Sequence, residues 1–431
     1  MAKNNKDRIG AKKLVFSIIL ALVIFVAGGL GGFFLNRLTK SNASNTIEEL
    51  MKIIEDVGYV YDEQTFEKKS LTTKELANSL LLALDDYATY YTPEEYSALL
   101  KKREGRYNNY GFGFYGTDLQ IDVCYYNSPA FNAGIRRGDK IISGRLSLEQ
   151  DKQNFNDVYD FLEYFSVGNT DKTIHLTVER TGEILEREFS FSLSQFEAVY
   201  VSYKDSDGAV YFRENNGERT SYEDQSEAIN LPKDTAYIDF ISFEGKAAKQ
   251  LKDAVKIMKE RGKTRLILDL RDNGGGQMSV LQEVASTLIY NDGKSNFPIV
   301  YEEHKNKTDI IYSAKNQNND FIEKIIVLAN GYSASASECL IGAMNYYCKS
   351  VFSLDDLIVE KNGDSVAKTY GKGIMQTTYT LLSGGAFMLT TAKIAWPDKS
   401  TCIHGIGIRP TNPLNAVEKD SALSRAIEYL S

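Results

Sequence analysis

The feature that most constrains this fold is a segment of small residues that follows a short apolar run. Residues 325–329 have the sequence IIVLA, and residues 331–338 have the sequence GYSASASE. Apolar side chains then recur at helical spacing, at Cys339, Leu340, Ala343, Met344 and Tyr347. This pattern predicts a buried strand, a tight turn and a helix, in that order.

Strand and helix patterns alternate through the second half of the chain. Short runs typical of strands alternate with longer helical runs over six segments: 235–240, 246–261, 265–270, 277–290, 325–329 and 337–347. Such alternation is typical of an α/β fold. We therefore predict a multidomain α/β (α+β) protein whose core lies within residues 201–431.

The composition narrows the classes of function. The chain has 431 residues, more than one ordinary domain contains. Its net charge is −8, and basic residues alternate with acidic ones, so we do not expect nucleic-acid binding. Cysteines occur at only four scattered positions, and no histidine lies at metal-ligand spacing from them. We predict buried free thiols, with no disulfide framework, no metal and no cofactor.

An apolar segment near the N-terminus predicts a membrane anchor. Residues 14–35 contain no charged side chain, and as a helix they would be about 33 Å long, enough to cross a bilayer. Five basic residues precede this segment, which favours a cytoplasmic N-terminus and export of everything after about residue 39. We expect a single-pass protein of the cell membrane, with its main part periplasmic or at the cell surface. A cleaved signal peptide is the alternative.

Changes in local pattern divide the chain into four parts. Residues 1–40 are a basic cytoplasmic tail and the anchor, and residues 41–105 are an N-terminal helical segment. Two cap patterns, at 72–75 (TTKE) and 92–95 (TPEE), support helix starts there. Residues 106–200 carry short β-type runs broken by glycine, and residues 201–431 carry the α/β core. The helical segment is expected to pack on the core or to support a homo-oligomer.

Residues 128–142, with the sequence SPAFNAGIRRGDKII, resemble the helix, turn and strand of PDZ domains. The upstream residues Gly111, Phe112 and Gly113 take the place of the carboxylate-binding loop of that family. The resemblance implies that a C-terminal tail binds there as an added strand. The alternative is that these glycines have no binding role and only allow tight turns in a β-meander. The sequence departs from the PDZ pattern after Ile142.

Serine hydroxyls in the turn at 331–338 could serve two purposes. Capping the following helix is one, and nucleophilic attack with help from the helix N-terminus is the other. A second segment, 268–276 (LDLRDNGGG), ends a strand pattern in a run of glycines that leaves backbone N–H groups available to an anion. It lacks the Gly-Lys-Ser/Thr ending of a phosphate-binding loop but fits one half of an oxyanion hole.

With these motifs the chain resembles the C-terminal processing (tail-specific) serine peptidases. That family shows S-A-S-A-S-E after a buried strand, an upstream D-L-R-x-N-x-G-G, a downstream G-K-G-x-x-Q and an inserted PDZ domain. All four occur here, the third at residues 371–376, and the resemblance covers about residues 46–431. It implies a crotonase/ClpP-like catalytic core.

The resemblance assigns roles to individual residues. Ser335 would be the nucleophile, Lys372 the general base and Gln376 the residue that orients the lysine. The backbone N–H groups of Ala336 and of a glycine at or near Gly275 would form the oxyanion hole, while the other two serines of the turn stay structural. A free lysine titrates near ~10.4, so burial must lower its pKa to ~7–8, a change of about 4 kcal/mol.

One departure from the family concerns spacing. Ser335 and Lys372 lie further apart in sequence than we expect, because residues 357–368 look like an added polar hairpin or surface loop. Within this insert, Ser365 and Lys368 match the Ser-x-x-Lys pattern of penicillin-recognising enzymes, but without a helical run. An α/β-hydrolase assignment fails because the serine turn lacks the last glycine of Gly-x-Ser-x-Gly. His404 has a glycine-rich context that favours a structural role or one at the substrate edge.

These interpretations combine into one hypothesis. The chain is expected to be an exported, membrane-tethered serine endopeptidase that binds unstructured C-terminal tails of protein substrates and cleaves them through an acyl-enzyme. From domain order alone, the PDZ-like module would gate the active site. The alternative is an inactive, membrane-tethered scaffold that only binds tails, but a scaffold has no need of Lys372 and Gln376.

Overall fold

The computed structural model describes residues 72–166, 173–180, 182–185, 188–215, 218–290, 295–305, 310–315, 320–361 and 366–431. Residues 77–431 form one compact unit, and of the residues before it only 72–76 are described. The predicted anchor at 14–35 and the helical segment up to residue 71 lie outside the described residues. No helix within the described ranges is long and apolar enough to cross a bilayer.

The first described elements are α1 (Thr73–Leu82), β1 (Thr89–Tyr91) and α2 (Pro93–Arg103). Both predicted caps are present: Thr72 Oγ1 accepts from the N–H of Glu75, and Thr92 Oγ1 accepts from the N–H of Glu95. The segment predicted as helical, residues 41–105, thus also contains the strand β1, which the prediction missed. The aromatic and β-branched residues of β1 favour an extended strand, which becomes stable by pairing with a distant part of the chain.

The next part, residues 106–200, is rich in short strands. Its elements are β2 (Arg106–Asn109), β3 (Phe112–Gly113), β4 (Val123–Cys124), α3 (Pro129–Ala133), β5 (Lys140–Arg145), β6 (Gln153–Asn154), α4 (Val158–Ser166), β7 (Thr173–Arg180), β8 (Glu183–Ile184), β9 (Phe189–Ser192) and β10 (Ser194–Glu197). Strands β6, β5, β7 and β8 form a sheet in that order, with β9 also paired to β7. Two-stranded pairs β2–β10 and β3–β4 complete this β-rich module.

The short helix α3 shows why the motif at 128–142 folds as it does. Ser128 caps the helix by accepting from the N–H of Phe131 at 3.1 Å, and Pro129 occupies the first helical position. Gly134 ends the helix with φ = +107°, a conformation that costs glycine little. Asp139 is fully buried and accepts from Arg180 Nε at 2.6 Å, which holds α3 and β5 against β7.

The C-terminal part contains the main sheet. Its elements are β11 (Val201–Asp205), β12 (Gly208–Asn215), β13 (Glu218–Asp224), β14 (Thr235–Phe240), α5 (Ala247–Glu260), β15 (Arg265–Asp269), α6 (Met278–Leu288), β16 (Asn296–His304), β17 (Ile310–Lys315), β18 (Lys324–Ala329), α7 (Ala336–Tyr347), β19 (Leu357–Glu360), β20 (Ile374–Thr380), β21 (Ala386–Ala395), β22 (Ala416–Val417) and α8 (Ala422–Leu430). The predicted α/β character is confirmed.

Eight strands form the main sheet in the order β13-β12-β11-β14-β15-β18-β19-β22. From β14 to β22 neighbouring strands are parallel, so their carboxyl ends lie at the same edge. A second sheet has the order β1-β21-β16-β17, with β20 also paired to β21. The prediction of a polar insert at 357–368 is wrong for its first four residues. Leu357–Glu360 is the fully buried strand β19 of the main sheet, and its apolar side chains are stabilised by packing between β18 and β22.

The central strands are buried on both faces, as parallel strands in α/β proteins are. On β18, Ile325 and Val327 belong to the large core that includes residues of α5, α6 and α7, while Ile326 and Leu328 belong to a smaller core with α8. Three of the four free cysteines are buried, and Cys402 is half-buried. The continuous apolar run that the sequence shows at 325–329 is therefore the centre of the domain.

Candidate active site

Ser335 lies between β18 and α7, at the last position before the helix begins. Its backbone has φ = +56° and ψ = −113°, which a residue with a side chain rarely adopts and which costs about 1–3 kcal/mol. The residue is half-buried, and its backbone N–H donates to Glu338 Oε2 at 2.9 Å. The strained turn therefore places a serine at the N-terminus of a buried helix, where negative charge is stabilised.

The other two serines of the turn are fully buried and hydrogen-bonded to backbone. Ser333 is fully buried and donates to the carbonyl oxygen of Leu270 at 2.7 Å. Ser337 is also fully buried and donates to the carbonyl oxygen of Asn273 at 2.8 Å. Both hydroxyls thus bind the loop that follows β15, while Ser335 is the one serine of the three that is not fully buried.

The glycine run after β15 comes directly against Ser335. Gly275 has φ = +95°, and a Cβ atom there would lie 2.8 Å from the backbone N of Ala336 and 2.9 Å from the Cβ of Ser335. Only glycine permits this approach. The two residues predicted to supply oxyanion donors are therefore neighbours in space. In this structure the N–H of Gly275 donates to Asn273 Oδ1 at 3.0 Å.

Lys372 is half-buried, and its Nζ lies 4.8 Å from the centre of the Tyr87 ring. Burial lowers the pKa of this amine, and the negative charge of Glu338 partly opposes that shift. The direction is the one that a general base requires, since only the neutral amine can accept a proton.

Two glycines allow the lysine turn to pack closely. A Cβ at Gly371 would lie 2.8 Å from the backbone N of Gly407, and one at Gly373 would lie 2.7 Å from the backbone N of His404. Hydrogen bonds between Thr369 and Ile408 hold the same two segments together. The side chain of His404 itself is exposed, so the segment 403–408 supports the lysine turn mainly through its backbone.

A fully buried carboxylate, Glu338, connects the serine turn to the lysine turn. It accepts from the N–H of Ser335 and the N–H of Lys372, both at 2.9 Å. It also accepts from the N–H of Gly371 at 2.7 Å and from Thr369 Oγ1 at 2.5 Å. Burial raises the pKa of Glu338, and these four donors oppose the shift. Sequence reasoning did not assign this residue a role; its spacing from Ser335, a capping-box spacing, was the available signal.

Gln376 lies on β20, where its Nε2 donates to Thr390 Oγ1 at 3.1 Å. Thr390 belongs to the neighbouring strand β21. This hydrogen bond of the Gln376 side chain thus connects two strands of the second sheet. The orientation of Lys372 by Gln376 stays a prediction.

Comparison with known proteins adds an independent observation. Residues 234–352, from β14 to just beyond α7, match the model of peptidase family S41. This part of the chain, which contains the serine turn, therefore resembles the serine peptidases of that family. The chain is 26% identical over 423 residues to a protein of Staphylococcus saprophyticus described as "Probable CtpA-like serine protease", covering 95% of this chain and 75% of that protein. A protein of the same description from Staphylococcus aureus strain COL is 28% identical over 411 residues, covering 93% and 70%.

A solved structure has a similar fold. A putative S41 protease from Bacteroides fragilis superposes with a TM-score of 0.52 at 14% identity, covering 88% of this chain and 96% of that one. The match to the family model includes Ser335 and Glu338 but ends before Lys372. Within the described part of the chain, no group of three His, Cys, Asp or Glu residues is placed to hold a metal ion.

The β-rich module contacts the α/β core at the loops around Ser335. The ring of Tyr115 stacks on Tyr332 with centres 4.9 Å apart, and its hydroxyl donates to the carbonyl oxygen of Asp272 at 2.8 Å. The guanidinium of Arg137 lies 2.7 Å from a carboxylate oxygen of Asp272 and 3.3 Å from one of Asp239. Tyr332 and Asp272 lie in the two loops that meet at Ser335, so this contact reaches the active site.

The three predicted peptide-binding residues lie at one edge of the module. Gly111 has φ = +85°, and its N–H donates to Asn109 Oδ1 at 2.9 Å. The ring of Phe112 packs edge-on against Phe161 of α4. A Cβ at Gly113 would meet no atom within 4 Å. Phe112 is thus the one of the three that contacts α4, and the binding role of all three stays a prediction.

Proposed function

We propose that this chain hydrolyses peptide bonds through a Ser335–Lys372 dyad and an acyl-enzyme. The observation that carries the proposal is the position of Glu338, whose one carboxylate holds the backbone of both residues. The lowered pKa of the Lys372 amine supports the role of base. The strained backbone of Ser335 supports the role of nucleophile, because such strain is typical of functional turns.

The reaction follows from these roles. The neutral amine of Lys372 accepts the proton of Ser335 Oγ while this oxygen attacks the carbonyl carbon of the scissile peptide bond. The resulting oxyanion accepts hydrogen bonds from the N–H of Ala336 and from a glycine N–H near Gly275. When the C–N bond breaks, the ammonium of Lys372 returns its proton to the leaving amine. Water then hydrolyses the ester, with Lys372 again accepting and returning a proton.

The N-terminus of α7 is well suited to hold the oxyanion. Ala336 is the first residue of this 12-residue helix, so its N–H has no carbonyl partner within the helix. Backbone donors of this kind need no reorganisation during the reaction, and losing one such donor lowers kcat about 10²- to 10³-fold in a serine peptidase. The close approach of Gly275 brings a second segment of backbone to the same place.

We further propose that residues 106–200 form a PDZ-like domain that binds C-terminal tails of protein substrates. The capped helix α3 and the position of Phe112 beside α4 support this. A terminal carboxylate would take the place of Asn109 Oδ1 at the N–H of Gly111. If so, Asn109→Ala should leave this N–H free and strengthen the binding of tail peptides, whereas Asn108→Ala, a neighbouring exposed residue, should not. Equal affinities in a titration would count against the assignment.

The anchor at residues 14–35 and the export of the remaining chain stay part of the proposal. They depend on the uncharged segment and the basic residues before it. Protease treatment of intact and permeabilised cells tests this arrangement. If residues 72–431 were digested only after permeabilisation, and if salt alone released the protein from membranes, the proposed export and anchor would both be contradicted.

The decisive experiment for the dyad uses the full chain purified in detergent. It is incubated with a protein that carries an apolar, unstructured C-terminal tail, and the products are identified by mass spectrometry. Ser335→Ala and Lys372→Ala should each abolish cleavage. Ser333→Ala, in the same turn, should still cleave the substrate when its activity is expressed per amount of folded protein. Tail binding without cleavage by the unmodified chain would instead identify a scaffold.

A further inference from the structure

One element at the active site has no role so far. Tyr87 belongs to the segment between α1 and β1, yet its ring faces the Lys372 amine at 4.8 Å. Its hydroxyl lies 3.3 Å from the hydroxyl of Tyr370, a residue 283 positions away and two residues before Lys372. The tyrosine therefore forms one side of the lysine site.

Hydrogen bonds and strand pairing hold the segment around Tyr87 in place. Its N–H donates to Asp85 Oδ1 at 2.7 Å, and Asp85 Oδ2 accepts from the N–H of Thr390 at 3.3 Å. Immediately after it, β1 pairs with β21, with Thr89 opposite Met388. Strand β21 also pairs with β20, which begins two residues after Lys372. The ring and the amine are thus attached to adjacent parts of one sheet.

Tyr87 supplies a neutral ring and no charge. Burial, together with the hydrogen bond to Tyr370, raises the pKa of its hydroxyl to about 12, so it remains a phenol at neutral pH. Its ring therefore acts on the amine in two opposing ways. The negative face of the ring attracts an ammonium weakly at a partly exposed site. By excluding water, the ring also destabilises the same ammonium.

At this site burial of the amine outweighs the charge that opposes it. Burial is the leading cause of the lowered pKa of Lys372, and the charge of Glu338 is the cause that opposes it. The other titratable groups recorded around this pair are Asp86, beside Tyr87, and Tyr370. Without the ring, water would reach Nζ and hydrate the ammonium, a stronger stabilisation than the face of one ring provides.

We propose that Tyr87 is a positioning residue for the general base: its ring closes the lysine site, keeps water from Nζ and so keeps the amine neutral. This inference rests on the proposed function, in which Lys372 is the base. It also gives a role to the segment 84–90, LDDYATY, which lies far from Ser335 and Lys372 in the sequence.

The test compares Tyr87→Phe, Tyr87→Ala and Tyr87→Gln in the full chain. The readout is kcat/KM for a tailed peptide between pH 5.5 and 10, with a thermal melt to verify folding. We expect Tyr87→Phe to keep the pH profile, since it keeps the ring. Tyr87→Ala should move the rising limb up by about one pH unit, a loss of about tenfold at pH 7 that is recovered at high pH. If the alanine variant does not fold, Tyr87→Gln, which keeps the length but admits water, should show the same shift.

Two results would overturn the role of Tyr87. A folded alanine or glutamine variant with an unshifted profile, whether its rate is lowered or normal, would show that the ring does not control the amine. A shift in Tyr87→Phe as large as that in the alanine variant would assign the effect to the hydroxyl. The control Lys372→Ala separates this inference from the proposed function. If that variant retains activity, the base is another group and the dyad itself is wrong.

Discussion

Glu338 accepts the backbone N–H of Lys372 at 2.9 Å across 34 positions of sequence. The same carboxylate oxygen accepts the N–H of Ser335 at 2.9 Å. A rigid carboxylate therefore sets the distance between the turn that carries the proposed nucleophile and the turn that carries the proposed base. The N–H of Tyr370 also donates to the carbonyl oxygen of Ser333 at 3.0 Å, so the buried acid and this backbone hydrogen bond together connect the two turns.

Replacing Glu338 should disturb both turns at once. Glu338→Ala leaves several buried N–H groups without an acceptor, and each such group costs about 1–3 kcal/mol. We expect a loss of at least about 3 kcal/mol in the free energy of unfolding and a fall in kcat of more than about tenfold. Chemical denaturation and steady-state kinetics measure the two effects. Glu94→Ala, at an exposed glutamate of α2, is the matched control and should change neither.

Lys372 should destabilise the fold at neutral pH because its charge is partly buried. The pKa of this amine is lower in the folded state than in the unfolded chain, so the unfolded state binds more protons between the two values. The destabilisation is therefore complete below the folded-state pKa and disappears near ~10.4, where both states are neutral. Lys372→Met should raise the Tm at pH 6 and leave it unchanged near pH 10.5.

The control for this prediction is Lys101→Met on α2, an exposed lysine whose replacement should not give a pH-dependent change in Tm. Two observations would contradict the prediction: a Lys372→Met variant that is less stable than the unmodified chain at pH 6, or a difference in Tm that grows with pH. Either would mean that the amine is stabilised in its charged form by the folded protein.

Substitutions at two adjacent glycines, Gly274 and Gly275, form a matched pair that tests the close approach to the serine turn. A Cβ at Gly275 would lie 2.8 Å from Ala334 O and Ala336 N, whereas one at Gly274 would meet no atom within 4 Å. We expect Gly275→Ala to displace the oxyanion site, to lower kcat about 10²-fold or more, and to destabilise the fold by about 1–3 kcal/mol. Gly274→Ala should retain most of the activity. Equal effects of the two substitutions would show that the close approach to Ser335 is unimportant.

The stacked pair Tyr115 and Tyr332 tests whether the β-rich module influences catalysis. Tyr115→Ala removes the stack and the hydrogen bond to Asp272, whereas Tyr115→Phe removes only the hydrogen bond. If the module gates the active site, the alanine variant should change kcat several-fold and reduce the selectivity for tailed over tail-less substrates, and the phenylalanine variant should do so less. Unchanged selectivity in both variants would argue against gating through this contact.

Local patterns predicted much of the fold correctly. The strand, turn and helix around residues 325–347 agree with the structure, as do the caps at Thr72 and Thr92. These features depend on side chains within a few positions of one another, so their physics is contained in a short stretch of sequence. The strand β19 was missed for the opposite reason. Its four residues are flanked by polar ones, and only pairing with β18 makes them part of the core.

The sequence by itself determined most of the buried strands of the main sheet (though not β19), the helix starts after Thr72 and Thr92, and that a serine stands at the N-terminus of a helix. Apolar periodicity and capping act over one or two turns of chain, so they can be read directly. The tertiary structure alone decided that Glu338 holds the lysine turn and that Tyr87 covers the Lys372 amine. Those contacts join residues tens to hundreds of positions apart, and they exist only because the two sheets and α7 pack together.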